Sequence, residues 1–379
     1  MALNIEKGDL PNLLVEILDY ALRIKATDIH IRVGKPVYMR IAKHMIPFPD
    51  WGSLDKDMVN LFVDALLSKA TKGVVTSRGQ VETSFNYAGV ARFRLTVFLS
   101  MGRFALSFRY IPLKVPTPDE LNLPSAVHRV LEFSDGMVLV VGPTGSGKTT
   151  TLAAMVDLIN SSRKLHILTL EDPVEYYFED KESLVTQRSL DSDSNSFKTM
   201  LREALREDPD VIVIGEMRTL EDFEFGIQAA DSGHLVFAAV HTVDTVQTIH
   251  RIIDAFPPSA QKQVRDSLAS LIRAIFAQRL LPLESGEGVI PAVEVAWGSH
   301  IEKQIREDNI DQIYDIIKSG RELGMQTLNQ AIADLVAGGL VSPEEAMRAT
   351  HRPKELSLLL KGFTGTQLGG NAIDWLMDD

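Results

Sequence analysis

Residues 137–152 read MVLVVGPTGSGKTTTL. The β-rich apolar run Met137 to Val141 leads into Gly142-x-x-x-x-Gly147-Lys148-Thr149, and a helix-compatible run follows from Thr150 to Ile159. This is P-loop spacing in the strand–loop–helix context that the motif requires. Glycines at 142, 145 and 147 carry no Cβ and tolerate positive φ, so the backbone can wrap close to a phosphate. The freed N–H groups and the helix N-terminus then face the anion. The phosphate-binding set is Gly142, Pro143, Thr144, Gly145, Ser146, Gly147, Lys148, Thr149 and Thr150. Lys148 is expected to reach the β- and γ-phosphates of ATP, and Thr149 to hold Mg²⁺ through its hydroxyl.

Outward from the loop the chain alternates strand and helix. His166-Ile-Leu-Thr-Leu170, Val211-Ile-Val-Ile214 and Leu235-Val-Phe-Ala-Ala-Val240 are short buried-type strands, with a helix around Ser196 to Glu207 between the first two. Continuous apolar strands separated by helices predict a parallel sheet covered on both faces. Past residue 260 the pattern is mainly helical: one helix over Asp266 to Gln278, a hairpin-like piece over Gly288 to Trp297, then helices around 309–320, 326–337, 343–350 and 354–361. Ser342-Pro-Glu-Glu345 reads as a capping box for the 343–350 helix. The Gly-rich tail 364–379 reads as flexible.

In the other direction, Pro112, Pro116 and Pro118 mark a linker, and Thr117-Pro-Asp-Glu120 is a capping box. Before it, a helix is predicted over 9–24 with Asp9 as N-cap and Pro11 in its first turn. Strands Asp28–Val33 and Val37–Ile41 follow, then a turn-rich segment with Pro47, Pro49 and Gly52, and a helix over about Asp55 to Lys69. Val81–Tyr87, Val90–Leu99 and Arg103–Tyr110 read as an antiparallel meander. The division is an N-terminal α+β domain (1–113), a linker (114–122), an α/β P-loop domain with C-terminal helices (123–363) and the tail.

The 379 residues carry a net charge of −12, and 45% of them are hydrophobic. An acidic chain without a basic footprint argues against nucleic acid as a partner. The absence of cysteine excludes disulfides, cysteine zinc sites and thiol nucleophiles. The N-terminal sequence has no signal-peptide pattern and no apolar run reaches the ~18–20 residues of a membrane span. The reading is cytoplasmic.

Hydrolysing a nucleotide needs carboxylates for water and metal, and cations for developing charge. Glu171 and Glu216 each follow an apolar strand of the expected sheet. Val211 to Glu216 occupies the place of a Walker B strand, but ends Gly-Glu instead of the usual aspartate, so Glu216 is assigned to Mg²⁺ through water. His241 ends a third strand and is a candidate γ-phosphate sensor. Arg92, Arg94, Arg103 and Arg109 lie on or beside strands of the first domain, where a row of arginines could reach a phosphate on another subunit.

Several stretches resemble the PilT-type secretion ATPases, the type IV pilus retraction motors. They are GPTGSGKTT, ILTLEDPVEY (167–176), LREDPDVIVIGEMRT (205–219), GHLVFAAVHT (233–242) and ELGMQTLNQAI (322–332). KATDIHIRVGKP (25–36) and ARFRLTVFL (91–99) match the N-terminal part of that family. The resemblance implies a PAS-like N-terminal domain and a RecA-like C-terminal domain in a homohexameric ring. Nucleotide would bind between the domains, with arginines donated by the N-terminal domains. Glu171 would activate water, Glu216 would be an atypical Walker B residue, and His234 and His241 would form a histidine box with His241 nearer the phosphate. It further implies work at the inner membrane with a pilus platform protein, pilin machinery and a second retraction ATPase.

The chain departs from the pattern in places. The AIRNLIRE-like retraction segment reads HIEKQIRE at 300–307, Thr219 follows GEMR where aspartate is common, and Val243-Asp244 stands where Asn-Ser is common. These leave open the main retraction motor, its accessory paralogue PilU, or a divergent copy. A pilus extension or type II secretion assembly ATPase is the alternative motor. The short N-terminal region and zero cysteines argue against it, because many such relatives carry extra N-terminal domains and a tetracysteine zinc element.

Overall fold

The computed structural model describes residues 3–41, 44–190, 196–286 and 288–363; the tail read above as flexible lies outside them. The chain divides into two compact units between Lys114 and Val115.

The first unit contains β1 (Leu3–Ile5), α1 (Asn12–Arg23), β2 (Asp28–Arg32), β3 (Val37–Ile41), β4 (His44–Phe48), α2 (Lys56–Leu66), α3 (Lys69–Arg78), β5 (Gln80–Tyr87), β6 (Ala91–Ser100) and β7 (Arg103–Ile111). The strands form one sheet in the order β1-β5-β6-β7-β2-β3-β4, antiparallel except for β1 against β5. Alternation along β6 turns Phe93, Leu95 and Val97 into the core, where they meet Leu14, Ile17 and Leu18 of α1 and Phe62 of α2. Phe93 and Phe108 pack edge to face at 6.2 Å, a geometry worth ~0.5–1.5 kcal/mol beyond area burial.

Three expectations change here. The first helix begins at Asn12 with Pro11 at its cap, and Asp9 instead accepts the Glu6 N–H at 3.0 Å in a short 3-10 turn. The proline-rich segment contains the edge strand β4, where Pro47 is tolerated because an edge leaves one side of the ladder unpaired. The helix expected over 55–69 breaks at Leu67, and Ser68 caps a separate α3 by accepting the Thr71 N–H at 3.2 Å.

The second unit contains β8 (Gly136–Val141), α4 (Lys148–Asn160), β9 (His166–Glu171), β10 (Leu184–Ser189), α5 (Phe197–Ala204), β11 (Val211–Ile214), α6 (Leu220–Asp231), β12 (Leu235–Val240), α7 (Thr245–Asp254), α8 (Pro258–Leu271), β13 (Ile272–Pro282) and β14 (Val289–Trp297). Helices α9 (Ser299–Arg306), α10 (Ile313–Ser319), α11 (Leu328–Ala337), α12 (Pro343–Ala349) and α13 (Pro353–Phe363) complete it. The sheet order is β10-β9-β11-β12-β8-β13-β14, parallel except for β14 against β13. Every residue of β8, β11 and β12 is buried. Val138 and Val140 pack on Leu152, Met155 and Ile159 of α4, while Leu139 and Val141 belong to the opposite layer with Phe223, Ile249 and Leu268. That two-sided burial explains the unbroken apolar runs.

The helix expected over 266–278 is corrected. Helix α8 ends at Leu271, and Ile272 turns directly to extended backbone (φ −67°, ψ 119°) to start β13. Nothing in the sequence punctuates this switch. Strand β10 is a further addition; lying at the sheet edge, it is not fully buried and lacks an apolar run. The C-terminal helices bury Leu328, Ile332 and Leu356 against Leu281 and Ile290 of the β13–β14 hairpin.

Candidate functional site

Parallel pairing sets the strand ends side by side. Val141 lies opposite Val240, and Ile214 opposite Leu170. The residues that leave those ends are Gly142, His241, Gly215-Glu216 and Glu171, so they emerge on one edge of the sheet, the usual location of ligand sites in such sheets.

The loop at Gly142 is closely built. Gly145 and Gly147 have φ of 78° and 86°, a region that penalises any side chain. A Cβ at Gly142 would approach the carbonyl oxygen of Gln278 to 2.5 Å, and one at Gly147 would lie 2.8 Å from Gln278 Nε2. The Gly142 N–H donates to the Val240 carbonyl at 3.2 Å. Lys148 Nζ donates to the carbonyls of Gly142 (2.9 Å) and Pro143 (3.1 Å) and lies 3.3 Å from His241 Nδ1. Burial holds the Lys148 ammonium below the ordinary lysine range, against the opposing pull of Glu216. Thr150 shares a 2.9 Å hydrogen bond with the Tyr176 hydroxyl.

Glu171 closes β9. Burial pushes its carboxyl up to about 7, against hydrogen bonds that favour the carboxylate. Thr169 donates to Oε1 at 2.7 Å and Gln187 at 3.4 Å, whereas Oε2 receives only a long 3.5 Å bond from the Glu175 N–H. A Cβ at Gly215 would sit 3.4 Å from Glu171 Cγ, in van der Waals contact, which places the Glu171 side chain beside the end of β11.

Glu216 is set between Arg218 and His241. Arg218 donates to its Oε2 at 2.6 Å, and His241 Nε2 lies 2.7 Å from Oε1, a close approach without well-aligned hydrogen-bond geometry. Burial raises its carboxyl, but Arg218 and His241 together bring it below the ordinary glutamate value. Lys148, His241, Glu216 and Arg218 thus form a continuous polar chain along the sheet edge. Thr149, Glu171, Glu216, Arg218 and Lys198 line one cavity of about 480 Å³.

The other expected residues lie apart. His234 precedes β12 and bonds to the Ala229 carbonyl at 2.9 Å. The six residues of β12 separate it from His241 by roughly 20 Å. In the first unit, Arg94 lies opposite Arg109, and Arg92 shares their face. Arg92 donates to Ser84 at 3.3 Å, Arg94 pairs with Glu82 at 3.5 Å and Arg109 with Asp28 at 2.8 Å. Arg103 pairs with Ser100 at the far end of the hairpin, roughly 20 Å along the strand from Arg94.

Spacing alone does not single out Gln278 or Arg218 as site residues. Gln278 is a lone amide in the apolar run AIFAQRLL, a signal visible once that run is a strand instead of a helix end. Segment 300–307 forms most of α9, with Ile301 and Ile305 buried and Glu302 paired outward to Arg306 at 2.9 Å.

A mainly parallel sheet bearing a phosphate-binding loop and strand-end carboxylates is the architecture of a P-loop nucleotide-binding protein. The chain belongs to the type II/IV secretion system protein family, whose model matches residues 119–351. It is 38% identical over 344 residues to the Type IV pilus retractation ATPase PilT of Pseudomonas aeruginosa, covering 90% of this chain and 99% of that protein. It is 31% identical to the Type IV pilus ATPase PilU of the same organism, covering 88% of each. A crystal structure of the pilus retraction motor PilT with bound ADP superposes with a TM-score of 0.81 at 41% identity, covering 90% of this chain and 98% of that one. These similarities bear out the PilT-type resemblance carried by the motifs.

Proposed function

We propose that this protein is a Mg²⁺-dependent ATPase that assembles as a homohexamer and powers type IV pilus retraction. The observation that carries the reading is the convergence of Lys148, Glu171 and Glu216 at one sheet edge, in a chain that matches a retraction ATPase along nearly its whole length. The greater identity to PilT than to PilU favours the main motor over the accessory one. The first unit is read as PAS-like and the second as RecA-like, with 114–122 as the linker. Among the described residues no helix is long and apolar enough to cross a membrane, so attachment at the inner membrane falls to the pilus platform and pilin machinery.

The residues fit the nucleotide and its metal. Loop N–H groups and Lys148 suit the phosphates, and Thr149 supplies a hydroxyl to the metal. Both Glu216 oxygens already have side-chain neighbours, Arg218 at Oε2 and His241 at Oε1, which suits contact with Mg²⁺ through water. When bound, the ion neutralises charge on the β- and γ-phosphates. Glu171 takes the proton of the attacking water at Oε2, its less engaged oxygen, while Thr169 holds Oε1. A carboxyl near 7 is matched to that task at neutral pH. His241 links Lys148 to Glu216 and senses the γ-phosphate through Lys148. Arg92, Arg94 and Arg109 are candidates for charge donated to a neighbouring subunit; the geometry of the hairpin disfavours Arg103 as part of that row.

Steady-state ATP hydrolysis against protein concentration, beside size-exclusion mass, tests the reading. Activity that rises as a hexamer forms supports it. A ring that binds ATP and scarcely turns it over favours the accessory role, and a monomer with full activity overturns the shared-ring mechanism.

A further inference from the structure

The phosphate-binding loop is held from behind by a side chain 132 positions after Ser146 and 127 after Thr151. Gln278, on β13, is 3% exposed. Its Nε2 donates to the Ser146 carbonyl at 2.7 Å, and its Oε1 accepts from the Thr151 hydroxyl at 2.7 Å. One amide therefore grips the loop before Gly147 and the first turn of α4 after it. This same amide closes Gly147 to larger residues, because a Cβ there would lie 2.8 Å from Nε2, while the backbone carbonyl of Gln278 does so at Gly142, at 2.5 Å.

The peptide joining Ser146 to Gly147 is planar, with its C=O and N–H pointing in opposite directions. Tying the Ser146 carbonyl to Gln278 turns the Gly147 N–H away from β13. That N–H lies at the start of α4, where helix N–H groups have no intrahelical acceptor and suit an anion. A glutamine is suited to both anchors because its amide donates and accepts at once; a glutamate would set a carboxylate oxygen against the Ser146 carbonyl.

We propose that Gln278, with Thr151 as its second anchor, is a positioning residue for the phosphate-binding loop, fixing the Ser146–Gly147 peptide so that the Gly147 N–H faces the diphosphate of a bound nucleotide. The inference rests on the nucleotide-binding reading above. Gln278 acts through the loop and does not touch the reacting atoms.

The test uses full-length protein, ADP titration by calorimetry, steady-state ATPase kinetics and thermal melts. Gln278→Glu is expected to weaken ADP binding and raise KM for ATP by about 10- to 100-fold, the range for an unsatisfied buried polar group. Its kcat at saturating ATP stays within about threefold, because the chemistry groups on β9 and β11 are untouched. Thr151→Val removes one anchor and weakens binding by about 3- to 10-fold, and Thr151→Ser, which retains the hydroxyl, recovers most of that loss. If Gln278→Glu fails to fold, the Thr151 pair carries the test. Lowered melting temperatures with unchanged ADP affinity in Gln278→Glu and Thr151→Val would overturn the proposal and leave a purely structural amide. Wild-type protein that neither binds ADP nor hydrolyses ATP overturns the functional reading itself and takes this inference with it.

Discussion

Replacing Glu171 with glutamine removes a titrating carboxylate while retaining its shape. If Glu171 is the base, turnover of the wild-type protein should follow its ionised fraction. With the carboxyl at about 7, that fraction is about one-tenth at pH 6 and about nine-tenths at pH 8, by the definition of the pKa. Turnover at saturating ATP should rise about tenfold over that interval. In Glu171→Gln the rate should drop by ~10²–10⁴ and the rise across pH 7 should vanish. Thr169→Val removes a hydrogen bond that favours the carboxylate, so the acidic limb should move to higher pH. Stability gives an independent readout. A carboxyl raised in the folded state binds its proton more tightly there than in the unfolded chain. Stability is therefore lost as pH rises from the ordinary glutamate range to about 7. Glu171→Gln should raise the melting temperature more at pH 8 than at pH 5. Phosphate-release assays across pH 5.5 to 8.5, with melts in the same buffers, measure both effects. A variant with wild-type turnover, or a wild type whose rate is flat through pH 7, refutes the assignment.

Three further outcomes follow from the geometry. Gly147→Ala meets both a left-handed backbone, costing ~1–2 kcal/mol, and the Gln278 amide; ADP affinity should fall at least about tenfold, with circular dichroism unchanged. His241→Ala severs the link between Lys148 and Glu216; kcat should drop by about 10²-fold, with ADP affinity nearly constant, and equal losses in both would make His241 a binding residue. In α9, Ile305→Ala should cost ~2–5 kcal/mol in chemical denaturation, whereas Glu302→Lys on its outer face should change stability by less than about 1 kcal/mol. Glu302→Lys then isolates any effect of that surface on retraction.

The readable parts of the fold were those with one dominant signal. β8, β11 and β12 are buried on both faces, so apolar runs mark them without ambiguity. The P-loop, Glu171, Glu216 and His241 could be set on one edge because a parallel sheet aligns its strand ends. Elements whose signals conflict are not legible from spacing. The apolar spacing of Ile272 to Gln278 suits a helix as well as a strand, and only pairing with β8 decides it. β4 carries Pro47, and β10 is a polar edge strand. The pairings Arg218–Glu216 and Gln278–Ser146 depend on side-chain directions after folding, which spacing alone does not specify.

The position of β8 between β12 and β13 also governs when the loop can take its shape. Three of its supports come from later chain: Val240 for the Gly142 N–H, His241 for Lys148 and Gln278 for Thr151, the last 127 residues downstream. At the ~5–20 residues per second of protein synthesis, roughly 6 to 25 s separate Thr151 from Gln278. Until Gln278 is made, the glycine-rich segment lacks the amide that joins Ser146 to Thr151. The complete set of loop contacts is therefore a property of a chain already made through β13.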